Sequence, residues 1–181
     1  MRTLLSALVA AAAITLPCGG QPPRNAVTEM AQAWSGARAA PTCRSDGAPA
    51  SAAAEPLPLS CTWTPTDAAR TGRVTGTVFP AEGATMVTWE RPTAGARDAD
   101  RVIDSLHVAL AGRGLARREC GGGEVPAGRL HTVVWLDARL LVHLSRIAPA
   151  TGAPRLVVIA VNDPAVLPPG LCRDAFPRRN T

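Results

Sequence analysis

From Asn25 onward, Val27, Met30, Trp34 and Ala37 recur at intervals of three and four, the spacing that draws one apolar stripe along a helix. Asn25 supplies a side-chain acceptor for its first turn, and Pro41 requires it to end by Ala40. A longer stripe runs through Ala99, Val102, Ile103, Leu106 and Leu110, with Arg97, Asp100, Arg101 and Asp104 on the opposite side. Asp98 is its expected cap, and Gly112 and Gly114 its expected stop. Between the two helices the period changes to two. Residues 73–79 carry Val74, Thr75, Thr77 and Val78, residues 84–90 carry Val87, Thr88 and Trp89, and Pro80-Ala81-Glu82-Gly83 separates them. That pattern predicts a hairpin, closed off by Pro92.

Three further strands are predicted over 129–136, 139–147 and 155–162. With Asp137-Ala138 as a two-residue turn, one face of the first pair carries His131, Val133, Trp135, Leu140, Val142 and Leu144. The other carries Thr132, Val134, Leu136, Leu141 and His143. Both faces are mainly apolar, whereas an open antiparallel sheet normally alternates, so the pair is expected to be central and covered on both sides. The long helix is the expected cover for one face, and the N-terminal helix, the Pro-rich tail or a partner for the other. The Ala/Pro/Ser-rich stretch 37–59 and the Pro-rich tail 163–181 read as loops, and no internal repeat is visible. The expected architecture is α+β: an antiparallel sheet of about five strands in one domain over 21–181, in the order helix, hairpin, helix, meander.

The first twenty residues have a different pattern. Arg2 precedes an uncharged run from Leu4 to Leu16, and Pro17-Cys18-Gly19-Gly20 follows, which reads as a secretory signal segment too short to span a bilayer. A Cys closing such a run, followed by two Gly and a polar stretch, resembles the processing site of bacterial lipoproteins. That resemblance implies acylation of Cys18, a membrane partner through the lipid anchor, and location in the periplasm or cell envelope. Thr15 and Pro17 stand where the family places Leu and a small residue. Cleavage after Gly20, releasing a soluble secreted chain, is the alternative, and cleavage after Ala13 would retain all five Cys. The two favoured routes both leave Cys43, Cys61, Cys120 and Cys172, and four Cys in an exported chain imply two disulfides. Three connectivities are open, and chain order favours Cys43 with Cys61 and Cys120 with Cys172.

Candidate chemistry is sparse. None of the seven Ser stands in a G-x-S-x-G frame. The only imidazoles are His107, His131 and His143, and the expected hairpin puts the last two on opposite faces, where they cannot share a metal. Asp100, Asp104 and His107 fall on one helical stripe, but Arg97 and Arg101 precede the carboxylates by three residues, so a salt-bridged surface is the simpler reading. Gly121-Gly122-Gly123 lacks the residues of either phosphate-binding glycine motif and reads as a loop beside a disulfide. No catalytic, cofactor-binding or metal-binding residue is therefore assigned.

Composition adds a location more than a ligand. The 181 residues carry 19 Arg and no Lys against 14 acidic residues, a net charge of +5. That balance suits anionic headgroups or envelope polymers. Nucleic acid is not expected as a partner, because an exported chain with no Tyr offers few stacking platforms. The leading expectation is an exported envelope protein, lipid-anchored at Cys18, that acts on an unidentified envelope protein or polymer by binding or by structural interaction. The alternatives are an exported hydrolase with a spatially assembled His/acid site and a secreted inhibitor presenting the loop between Cys43 and Cys61.

Overall fold

A computed structural model of the chain describes residues 25–37, 40–45, 56–65 and 71–166. Helix α1 spans Ala26–Ser35, starting where Asn25 Oδ1 accepts the Thr28 N–H at 3.0 Å and ending at Gly36, whose φ of 60° a side chain would resist. Four strands follow: β1 (Thr42–Ser45), β2 (Leu59–Trp63), β3 (Arg73–Phe79) and β4 (Ala84–Pro92). Helix α2 (Ala96–Gly112) precedes four more: β5 (Ala116–Val125), β6 (Gly128–Leu136), β7 (Leu141–Ala148) and β8 (Arg155–Val161). A short 3-10 turn, Pro164–Val166, follows β8.

All eight strands form one antiparallel sheet in the order β1-β2-β3-β4-β8-β7-β6-β5. The chain is α+β as expected, but the sheet has eight strands where about five were predicted. The three additional strands lie at or near its two edges. Strands β1 and β2 come from the stretch 37–59 and the residues just after it. Their pairing places Cys43 directly opposite Cys61, and these two buried sulfurs form a disulfide. Strand β5 contains Gly121-Gly122-Gly123, expected as a loop. No other described strand pairs with its outer edge, and its side chains are mostly exposed, so it lacks the hydrophobic alternation that reveals an interior strand. Gly122 is required there because a Cβ would come within 2.5 Å of the Leu130 carbonyl oxygen.

The element order also contains a repeat that the residues do not show. Among the described residues each half is a helix followed by four strands, and the halves meet where β4 pairs with β8, from Met86 opposite Val161 to Pro92 opposite Arg155. The sheet order is symmetric about that seam. As a result both helices cover the same face: Val27, Met30 and Ala31 of α1 and Val102, Leu106 and Leu110 of α2 share one core with Trp63, Val74, Val87, Trp89, Trp135, Val142 and Val158. The N-terminal helix is therefore not the cover of the second face. That face has its own cluster of Val134, Leu136, Leu141 and Val161, against which Val166 packs.

Two local expectations are corrected. The β6–β7 connection is four residues long, closed by Asp137 N–H donating to the Leu140 carbonyl, with the Asp137 carboxylate accepting from Arg139 and Leu140 N–H. Leu136 therefore pairs with Leu141. Each partner moves by two residues from the expected register, and because side chains alternate with period two, the assignment of residues to faces survives. Gly95 rather than Asp98 is the N-cap of α2, while Asp98 sits in the first turn and accepts the Ala94 N–H at 3.1 Å.

Cys43–Cys61 clips a four-residue edge strand that, among the described residues, pairs on one side only. Closing a loop of 18 residues should stabilise the fold by about 3 kcal/mol through the unfolded state. Urea unfolding of the Cys43→Ala/Cys61→Ala variant should lose about that much. A loss below about 0.5 kcal/mol, the size of an ordinary surface substitution, would mean that the β1–β2 ladder holds the edge unaided.

Candidate functional site

Because the seam brings both helices to one face, a cleft of about 1270 Å³ opens between them. Its floor is aromatic. Trp89 follows Val87 in the alternation of β4 and so points to the helix side, where Trp34 of α1 stacks on it at 5.6 Å with the rings 13° apart. Trp89 is buried and its indole N–H donates to the Thr71 carbonyl, which fixes the ring. Met30 and Ala33 form one wall, and Val102, Leu106, Ala109 and Leu110 the other. The cleft follows α2 from its first turn to Arg113, a length of about 25 Å for 17 helical residues.

The same cleft collects cations. Arg91, two residues beyond Trp89 on the same strand face, continues the buried side with a guanidinium, and its Cζ lies 5.9 Å from the Trp89 ring centroid. Its Nε is buried without an acceptor, and its nearest carboxylate, Asp98, is 3.9 Å away. Arg97, Arg101 and Arg113 complete the described lining, so among the described residues four arginines face one aspartate. The expected local ion pairs on α2 do not form: Asp100 instead receives Arg146 of β7 at 2.7 Å, and Arg97 and Arg101 have no carboxylate partner among the described residues. The first turn of α2, with a glycine cap and the positive end of the helix dipole, opens on the same end of the cleft.

The structure does not bring the other candidates together. Asp100 is committed to Arg146, while His107 turns inward against Trp135 with ring centroids 5.5 Å apart. The stripe of Asp100, Asp104 and His107 therefore does not converge on a cation, and no group of three potential ligands does so among the described residues. His131 and Glu119 are exposed and 3.7 Å apart, a surface pair of little energetic weight. Gly121, Gly122 and Gly123 each pair with β6, so their backbone does not form an anion cradle.

His143 lies on the second face, as expected from its opposition to His131. There its Nδ1 is 3.2 Å from Ser145 Oγ, which is 3.0 Å from Thr132 Oγ1, all three residues being buried beside a groove of about 400 Å³. Among the described residues no carboxylate lines that groove. Burial holds the pKa of His143 below its ordinary value, and burial followed by the Arg117 charge does the same for His107. Cys120 is disulfide-bonded, while Cys172, its expected partner, and Cys18 lie outside the described residues.

The cleft residues were legible only in part. Trp34 and Trp89 read as core, and Arg97 and Arg101 as a solvated face. The available signal was Arg91, an arginine occupying the apolar phase of a strand. No described helix is long and apolar enough to cross a membrane.

The lowered histidine pKa values fix a pH dependence. Below the ordinary histidine range the unfolded chain takes up protons that the folded chain refuses, so stability is full above that range and falls with acidification. Urea midpoints measured from about pH 8 to about pH 5 should decline, and His143→Asn, which retains a group near the Nδ1 position, should flatten the decline. An identical slope in that variant would show that His143 does not drive it.

No family model matches the chain, and no curated protein or solved structure is detectably similar to it.

Proposed function

We propose that this chain is a small exported cell-envelope protein, held at the membrane through an acylated Cys18, that binds a ligand in the cleft between α1 and α2 without catalysing a reaction. The observation that carries the reading is the cleft itself, with its stacked Trp34–Trp89 floor, apolar walls and four arginines against one aspartate. A mainly apolar concave site with a few convergent polar groups is the usual form of a small-molecule site. The leader at residues 1–20 and the Cys43–Cys61 disulfide support an oxidising compartment outside the cytoplasm. A catalytic role for the cleft has little support, because among the described residues its lining contains no His or Cys and its one hydroxyl near α2's apolar stripe, Ser105 Oγ, donates to the Arg101 carbonyl.

A second reading, the exported hydrolase, draws on the Ser145–His143 contact. Among the described residues that pair has no acidic third member in its groove, and its hydroxyl is shared with Thr132, which describes a satisfied buried polar cluster better than an activated nucleophile. The inhibitor reading depends on a loop of which residues 46–55 lie outside the described residues.

Mass spectrometry of the protein extracted from the host membrane fraction, under native and denaturing conditions, tests the proposal. The denatured chain should begin at Cys18 and carry a diacylglyceryl mass. The native chain should retain a small molecule that is lost in Ala33→Phe and Ala109→Phe, two exposed helix positions facing the cleft. An unmodified chain beginning at Gln21 would remove the anchor, and a bound molecule unaffected by both substitutions would remove the cleft.

A further inference from the structure

The lining of the cleft restricts its ligand. Among the described residues its donors are abundant and its acceptors few: Arg91, Arg97, Arg101 and the first turn of α2, which no side chain caps, present N–H groups at one end. Asp98 already accepts the Ala94 N–H, and Ser105 Oγ is bonded to its own helix. A sugar needs donors and acceptors in comparable number, and here the acceptors are missing. An extended peptide would have to leave backbone N–H and C=O groups unpaired against Trp34, Val102 and Leu106, because the cleft lies over β4 in the middle of the sheet, far from an edge that could add a strand. What fits is a molecule with an acceptor-only, negatively charged head and an apolar body that needs no hydrogen bonds.

We infer that the cleft takes one molecule of an anionic acyl lipid, its phosphate or carboxylate head held by Arg91, Arg97 and Arg101 at the first turn of α2 and its chain laid along Trp34, Leu106 and Ala109. This assignment rests on the binding-module reading and names its ligand class. The buried Nε–H of Arg91, without an acceptor among the described residues, gains one from the head, and Arg97 and Arg101 gain the counter-charge that no described residue gives them. The Trp34–Trp89 stack provides a rigid apolar surface for the chain. The volume of about 1270 Å³ exceeds that of an ordinary drug-sized site, which is consistent with a long-chain occupant.

Calorimetric titration of the exported protein, stripped of bound lipid, with palmitoyl lysophosphatidylglycerol below its micellar concentration provides the test. Binding should saturate at one molecule per chain and weaken as salt is raised. Arg97→Gln/Arg101→Gln, at two exposed positions, should weaken it at least tenfold, the equivalent of one charge-assisted hydrogen bond, with an unchanged unfolding midpoint. Ala109→Phe should abolish it. Equal affinity for dodecyl maltoside would overturn the anionic head. Saturable binding of inorganic phosphate with the same affinity would overturn the acyl chain. Adsorption to phosphatidylglycerol vesicles without uptake of the monomer would overturn the single-molecule site in favour of surface attraction. If the lysolipid fails while the native chain still carries a molecule that Ala33→Phe expels, the lipid assignment falls and the binding-module reading stands.

Discussion

The pairing of β4 with β8 is the constraint on which the rest of the molecule depends. Seven residue pairs, from Met86–Val161 to Pro92–Arg155, join two helix-plus-four-strand halves into one sheet without a gap. Each helix must bury its apolar stripe, and symmetry about the seam brings both stripes to the same face. Two helices side by side on a twisted sheet do not fill the space between them completely. The cleft is that unfilled space, and Trp89 and Arg91 of the seam strand form its base.

Much of this was legible in the chain. The stripes of Val27, Met30, Trp34 and of Val102, Leu106, Leu110 located both helices, and the alternation around Val74 to Trp89 and Val133 to Val158 located five strands. The remaining strands were hidden for physical reasons. Strand β1 exposes three of its four residues, β2 has only Cys61 and Trp63 fully buried, and β5 is mostly exposed and contains three consecutive glycines. Edge strands owe their place to backbone pairing, which leaves little imprint on side-chain pattern. The repeat was hidden for a related reason: its halves share topology but occupy equivalent places with different chemistry, a disulfide-clipped edge in one and a glycine-rich bulged edge in the other.

The electrostatics of the cleft follow from a pairing choice that sequence spacing misjudged. Asp100 lies three residues from Arg97, but Arg146 reaches it from β7. That cross-element bond ties α2 to the sheet and takes Asp100 from Arg97, and Arg101 likewise has no ion pair among the described residues. Part of the positive charge that composition tied only to anionic headgroups or envelope polymers is thus concentrated locally, beside an aromatic floor and a helix N-terminus. The second face differs in kind: His143, Ser145 and Thr132 satisfy one another there, and the burial that lowers the histidine pKa disfavours its charged form.

The central claim is that the cleft over the seam, and no other surface, receives the ligand. Isotope-edited NMR of the exported protein titrated with the lysolipid addresses it directly, because indole N–H and arginine Nε–H signals report single side chains. The account predicts large shifts confined to Trp34, Trp89, Arg91, Arg97 and Arg101. Shifts centred instead on His143, Cys120 and the glycines of β5, with the Trp34 and Trp89 signals unmoved, would contradict it.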